Sequence, residues 1–233
     1  MPVLQKPSAE TLLTTIKACL HNGDRLLDET YDLEFRKPPS SRFFIIMIAQ
    51  EELAKAFILY LIRQGAISFT TPVLRAINDH VCKQLVGMVM DYMIMHWDEI
   101  EELQILIRKD SAAGDGLPSD VGSAIELLRY EKIERWAGKF AVWAEDPHYD
   151  PSARHVADGR KDHHKQDSLY VRIGRDGRVS STPEVITEQE TETELERARR
   201  YKRFIESLLV EDKRSKRYEK AMTAFTQLFA SHS

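Results

Sequence analysis

Two side chains suited to chemistry stand close together in the sequence: Arg75 and His80, in the run Arg75-Ala-Ile-Asn-Asp-His80, with Lys83 three residues on. An arginine keeps its proton and offers a planar fork to phosphate oxygens. A histidine can take or give a proton near neutral pH. Together they suit cleavage of RNA without a metal. His80 would remove the proton of a ribose 2′-hydroxyl, and Arg75 would hold the phosphate as charge develops. A spacing of five does not put the two Cβ atoms on one helical stripe, so the long arginine must reach. Asp79 can orient either residue, and it stands one turn from Lys83.

A second group lies in Glu51-Glu52-Leu-Ala-Lys55. Glu51 and Lys55 are four apart, so an ion pair along one helix face is expected. Charges within an apolar helix are costly unless paired. The group is read either as a register-fixing ion pair or as a polar site within a bundle. A third group is basic: Arg154-His155, then Arg160-Lys161-Asp162-His163-His164-Lys165. Arg160, Lys161, His164 and Lys165 are candidates for contact with RNA phosphates or a partner; the bland reading is a solvated loop. A fourth, Lys213 to Arg217, reads as a solvated helix face. Adjacent histidines point apart and no further His or Cys stands at ligand spacing, so no zinc site is expected. Glu51 and Glu52 lack the Glu-x-x-His pattern of a di-iron bundle. No cofactor is implied.

The elements that must position these residues read as helices. Ser8 caps a first helix carrying Leu12, Ile16, Leu20 and Leu27, which Pro38 and Pro39 end. Ser40 or Ser41 opens a second, running to Arg63 and stopped by Gly65. It is apolar nearly all round (Phe43, Ile46, Met47, Leu53, Phe57, Leu61), so it belongs at the centre of a bundle. Thr71 and Pro72 start a third, expected to continue to Arg108. A loop at 111–118 leads to a fourth helix over 119–145. The segment 146–186 is expected to be an irregular excursion, with a hairpin at 170–179 turning on Asp176-Gly177. Thr187 with Glu190 forms a capping box for a fifth helix to Val210, followed by a last one to Phe229. The fold class is therefore all-α: one domain over 1–233, five or six helices and one excursion.

With 42% hydrophobic and 30% charged residues, the chain has the composition of a globular protein. A net charge of -4 excludes nucleic-acid binding by bulk charge and leaves room for a local basic face. Cys19 and Cys82 make no disulfide framework and are expected to be reduced. The apolar stretch from Phe43 to Ala49 is too short to span a bilayer, and the first residues lack the pattern of a secretory leader. A cytoplasmic protein without membrane contact is expected.

The chain resembles the HEPN superfamily, and within it the AbiV-type abortive-infection proteins. The resemblance rests on Asn22 and Asp28 in the first helix, Glu51-Glu52-x-x-Lys55 in the second, His80-x-x-Lys83 in the third, and Lys165-Gln-Asp-Ser-Leu-Tyr170-Val with Pro183 further on. It implies a HEPN-like bundle that often forms a homodimer, in which two Arg-x4-6-His motifs meet to form a composite ribonuclease site. It also implies phage defence by arrest of the infected cell, with RNA as substrate and a phage protein as possible trigger. Asn22, Asp28, Glu51, Glu52, Lys55, Asp79 and Lys83 would support Arg75 and His80. Ala76 follows the arginine where the HEPN motif often has a polar residue. The alternative is a non-catalytic dimeric module that binds a phage protein or blocks translation.

Overall fold

A computed structural model describes residues 4–99, 105, 117–139, 147–210, 219, 220, 223 and 226. The expected end of the third helix, most of the 111–118 loop, the end of the fourth helix, the 213–217 cluster and most of the last helix lie outside these residues.

Helix α1 spans Ala9–Glu29, and the Ser8 hydroxyl accepts from Thr11 N at 3.0 Å as its cap. It stops well before Pro38 and Pro39, giving way to a short 3-10 turn at Tyr31–Leu33. Helix α2 spans Ser40–Gln64 and ends on Gly65, whose φ of 82° suits glycine. Its buried residues lie on every face, from Phe43 and Ile46 to Tyr60 and Ile62, so α2 is the axis of the molecule. Helix α1 packs along it, as do the helices over His80–Met95 and Glu188–Val210. At Gly23 α1 comes close to α2: an added Cβ would stand 3.1 Å from the Leu53 side chain.

The single third helix expected from the sequence is two. Helix α3 covers Thr71–Asn78 and α4 covers His80–Met95, with Asp79 extended between them. Asp79 caps α4: its carboxylate accepts from Cys82 N at 2.9 Å. Helix α5, Ser119–Glu126, continues as eight residues of π-helix, Leu127–Glu134. The segment expected to be irregular holds helices α6, Pro151–Ala157, and α7, Arg160–Asp167. Asp150 caps α6 ahead of Pro151, and Gly159, at φ 78°, makes the corner into α7. Strands β1, Arg172–Ile173, and β2, Val179–Ser181, pair antiparallel around Asp176-Gly177.

Helix α8, Glu188–Val210, lies along α2 with Leu195, Ala198, Tyr201, Phe204, Ile205 and Leu208 inward at helical spacing. Tyr201 Oη donates to Gly87 O at 2.7 Å, tying α8 to α4. The fold is all-α apart from the one hairpin, a HEPN-like bundle with eight helices among the described residues. The number exceeds five or six because α3 and α4 are separate and the excursion adds α6 and α7.

Candidate functional site

The break at Asp79 sets the site. Ending α3 at Asn78 makes His80 the first residue of α4, with Lys83 and Gln84 one turn on. All three side chains reach Glu51, which is 3% exposed in the middle of α2. His80 Nδ1 lies 2.5 Å from Glu51 Oε2, and Lys83 Nζ lies 3.1 Å from the same oxygen. Gln84 Nε2 approaches Oε1 at 3.4 Å. Helix α7 closes the cluster from the other side. Lys165, 3% exposed, places Nζ 2.6 Å from Glu51 Oε1 and 2.6 Å from Asp162 Oδ1.

Two ammonium groups thus face two carboxylates in a space nearly closed to water. Burial pushes the Glu51 carboxyl up. The hydrogen bond from Lys165, the charges of Lys83 and Lys165 and the His80 bond outweigh burial and hold it below the ordinary carboxylate range. Asp162 shifts the same way: burial raises it, and Lys165, together with His80 and the Gln166 hydrogen bond, more than compensates.

His80 is the exposed member, with 53% of its side chain open to solvent. An ionised Glu51 accepts the proton on Nδ1, which assigns the neutral ring's lone pair to Nε2. A carboxylate behind an imidazole, with the second nitrogen turned outward, is the arrangement of an oriented general base.

Glu51, His80 and Asp162 each bring one ligand atom, all within 4.8 Å of one another. That set was not visible from spacing. The Lys165 ammonium already stands between the two carboxylates and 3.3 Å from His80 Nδ1. It neutralises there the charge that a divalent ion would otherwise balance.

The other expected site residues are dispersed. Arg75, exposed on α3, stacks over Trp136 with its guanidinium carbon 4.3 Å from the ring centroid, and among the described residues no hydrogen bond joins it to His80. Lys55 pairs with Glu52, not with Glu51 as expected, because Glu51 is taken by α4 and α7. Asn22 accepts from Arg25 on α1, and Asp28 is exposed on the same helix; neither reaches Glu51. Asp79 serves as the cap. Arg160 is exposed. Lys161 lies 4.0 Å from Glu194, and burial lowers its pKa against the pull of that carboxylate. His164 Nε2 meets Glu190 Oε1 at 2.8 Å, its ring edge-on to Phe43, so Glu190 turns to α7. Lys165 is inside, and that removes it from any RNA-facing surface. Gln84 and Asp162 were missed. Asp162 carries a local signal, being one helical turn before Lys165.

The bundle, with Glu51 and Lys83 buried beneath a half-exposed His80, is that of a HEPN-type protein. The sequence matches the family model described as AbiV over residues 11–203, and the chain belongs to that family. Membership implies a role in abortive infection. Comparison with curated proteins and with solved structures returned no match. Among the described residues no helix is long and apolar enough to cross a membrane.

Proposed function

We propose that this protein arrests infected cells as a metal-independent endoribonuclease, with His80 as general base. The observation that carries the proposal is the His80–Glu51 pair: a half-exposed imidazole held through Nδ1 at 2.5 Å by a buried carboxylate. His80 Nε2 would take the 2′-hydroxyl proton, and the alkoxide would attack the adjacent phosphorus. The phosphorus–O5′ bond breaks as the 2′-oxygen bonds to phosphorus, and the leaving 5′-oxygen takes a proton from solvent, so the products are a 2′,3′-cyclic phosphate and a free 5′-hydroxyl. Glu51 stabilises the imidazolium formed, and Lys83 and Lys165 keep Glu51 anionic and in place.

The phosphate needs its own cation. Arg75 stands on Trp136 in the same protomer, so its partner histidine is drawn from a second copy. Two α3–α4 corners meeting across a homodimer would bring Arg75 of one protomer to His80 of the other. The exposed Arg75 and His80 flank that corner, which supports this assembly. The substrate is cellular RNA, the trigger a phage protein, and the compartment the cytoplasm.

A second reading rests on the Arg75–Trp136 stack itself: a cation already engaged by a ring fits a non-catalytic dimer that binds a phage protein or blocks translation. Growth of cells expressing wild type, His80→Ala and Arg75→Ala, with total RNA resolved on a gel, separates the two. Arrest and RNA fragmentation lost in both folded variants supports the nuclease. Arrest that persists in His80→Ala refutes it.

A further inference from the structure

A cleft of about 450 Å³ opens between the end of α2, helix α3 and the π-helix. That is within the range of small-molecule sites, roughly 300–1,000 Å³. Ile58 and Leu61 of α2, Val73 of α3 and Leu128 and Ile133 of the π-helix give it an apolar interior. None of Glu51, His80, Lys83, Asp162 or Lys165 lines it.

Two features mark it as more than a packing fault. The first is Arg129, which lines the cleft; its guanidinium carbon lies 5.2 Å from the Tyr130 ring centroid, and its buried Nη2 has no hydrogen-bond partner among the described residues. A buried guanidinium nitrogen that has given up water without gaining an acceptor is costly, and unpartnered groups of this kind are rare. The second is the π-helix that carries Arg129. Eight residues of π-helix, Leu127–Glu134, form a long run of a rare geometry that recurs at functional sites. It presents Leu128, Arg129, Ile133 and Glu134 to the same space. Lys139 adds a second cation and Glu134 one carboxylate, so the polar lining carries a net positive charge.

We infer that this cleft binds a small amphiphile with an apolar chain and an anionic head, of the fatty-carboxylate class, the head accepting from the Arg129 guanidinium and the chain lying among Ile58, Leu61, Val73, Leu128 and Ile133. Arg129 gains the acceptor it lacks, and the apolar walls lose their contact with water. This inference stands apart from the nuclease reading, since it uses none of the Glu51 cluster.

The test is calorimetric titration of the full chain with octanoate and with 1-octanol, which share a chain and differ in the charged head. Wild type is expected to bind octanoate at one site, about tenfold or more tighter than octanol. Arg129→Met should bring octanoate down to the level of octanol and leave octanol unchanged. Ser68→Trp, at the exposed rim, should weaken both ligands and, being exposed, does not depend on a core change. Circular dichroism melts report whether each variant is folded. Absence of saturable octanoate binding to wild type, octanoate bound equally well by a folded Arg129→Met, or binding unaffected by Ser68→Trp would each overturn the inference.

Discussion

Lys165→Met removes one ammonium from the centre of the buried cluster and little else, since the methionine keeps the aliphatic stem. In the native protein Lys165 Nζ stands 2.6 Å from both Glu51 Oε1 and Asp162 Oδ1, on a side chain 3% exposed. Removing one partner of a buried ion pair costs about 3–5 kcal/mol, because the remaining charge stays buried. Lys83 still holds Oε2 at 3.1 Å, and Asp162 is partly open to water, which places the expected loss at the lower end, about 3 kcal/mol. At roughly 2–4 °C per kcal/mol for a domain of this size, Tm falls by about 6–12 °C. Urea denaturation followed by circular dichroism reads the change, with Arg160→Met, exposed on the same helix, as the control within about 0.5 kcal/mol. Glu51→Gln and the double variant complete a cycle, whose coupling energy should exceed about 1 kcal/mol. A Lys165→Met protein as stable as the Arg160→Met control, or a cycle that is additive, would refute the placement of α7 against Glu51.

Acid should weaken the same cluster. Glu51, Asp162 and Glu194 are all held below their ordinary values, so the stability they contribute is full above the ordinary carboxylate range. It is lost as pH falls from about 4.3 through their folded values. Urea midpoints between pH 7 and pH 3 should drop on this branch, and Glu51→Gln should flatten it; an unchanged slope in that variant contradicts the assignment. Cys19 and Cys82 are both buried, with thiol pKa values raised chiefly by burial. Ellman's reagent at pH 8 should therefore label neither within minutes in the native protein and both in urea; fast native labelling contradicts their burial.

The bundle was legible in the sequence where local signals and burial agree. Helix α2 announces itself by an apolar pattern on all faces, and Ser8 and Gly65 mark ends that the structure keeps. Asn78-Asp79 was a cap signal inside an apparently continuous helix, and the periodicity on either side concealed it. Asp150-Pro151 and Gly159 were likewise the start and corner of two short helices whose polar composition suggested a loop.

Site legibility followed sequence distance. Glu51 stood out as a charge in an apolar helix, and His80 and Lys83 by their spacing from Arg75 and from each other. Their mutual contact, and the capture of Lys165 from 114 residues away, depend on tertiary packing that no local pattern contains. The misassigned Glu51–Lys55 pair has the same origin: along the helix either glutamate can meet Lys55, and the neighbours of Glu51 on α4 and α7 decide which one does. Arg75 and His80 looked like one motif because they are near in sequence. The break at Asp79 lets α3 carry Arg75 to Trp136 while α4 carries His80 to Glu51.

The most direct test of the proposed composite ribonuclease is complementation in vitro. Purified wild type, Arg75→Ala, His80→Ala and a co-refolded mixture of the two variants are incubated with RNA in excess EDTA, and product ends are analysed. The account predicts cyclic-phosphate ends from wild type, none from either variant alone, and partial recovery in the mixture, where one site regains Arg75 from one protomer and His80 from the other. Cleavage by His80→Ala alone, or no cleavage by wild type in EDTA, would contradict it.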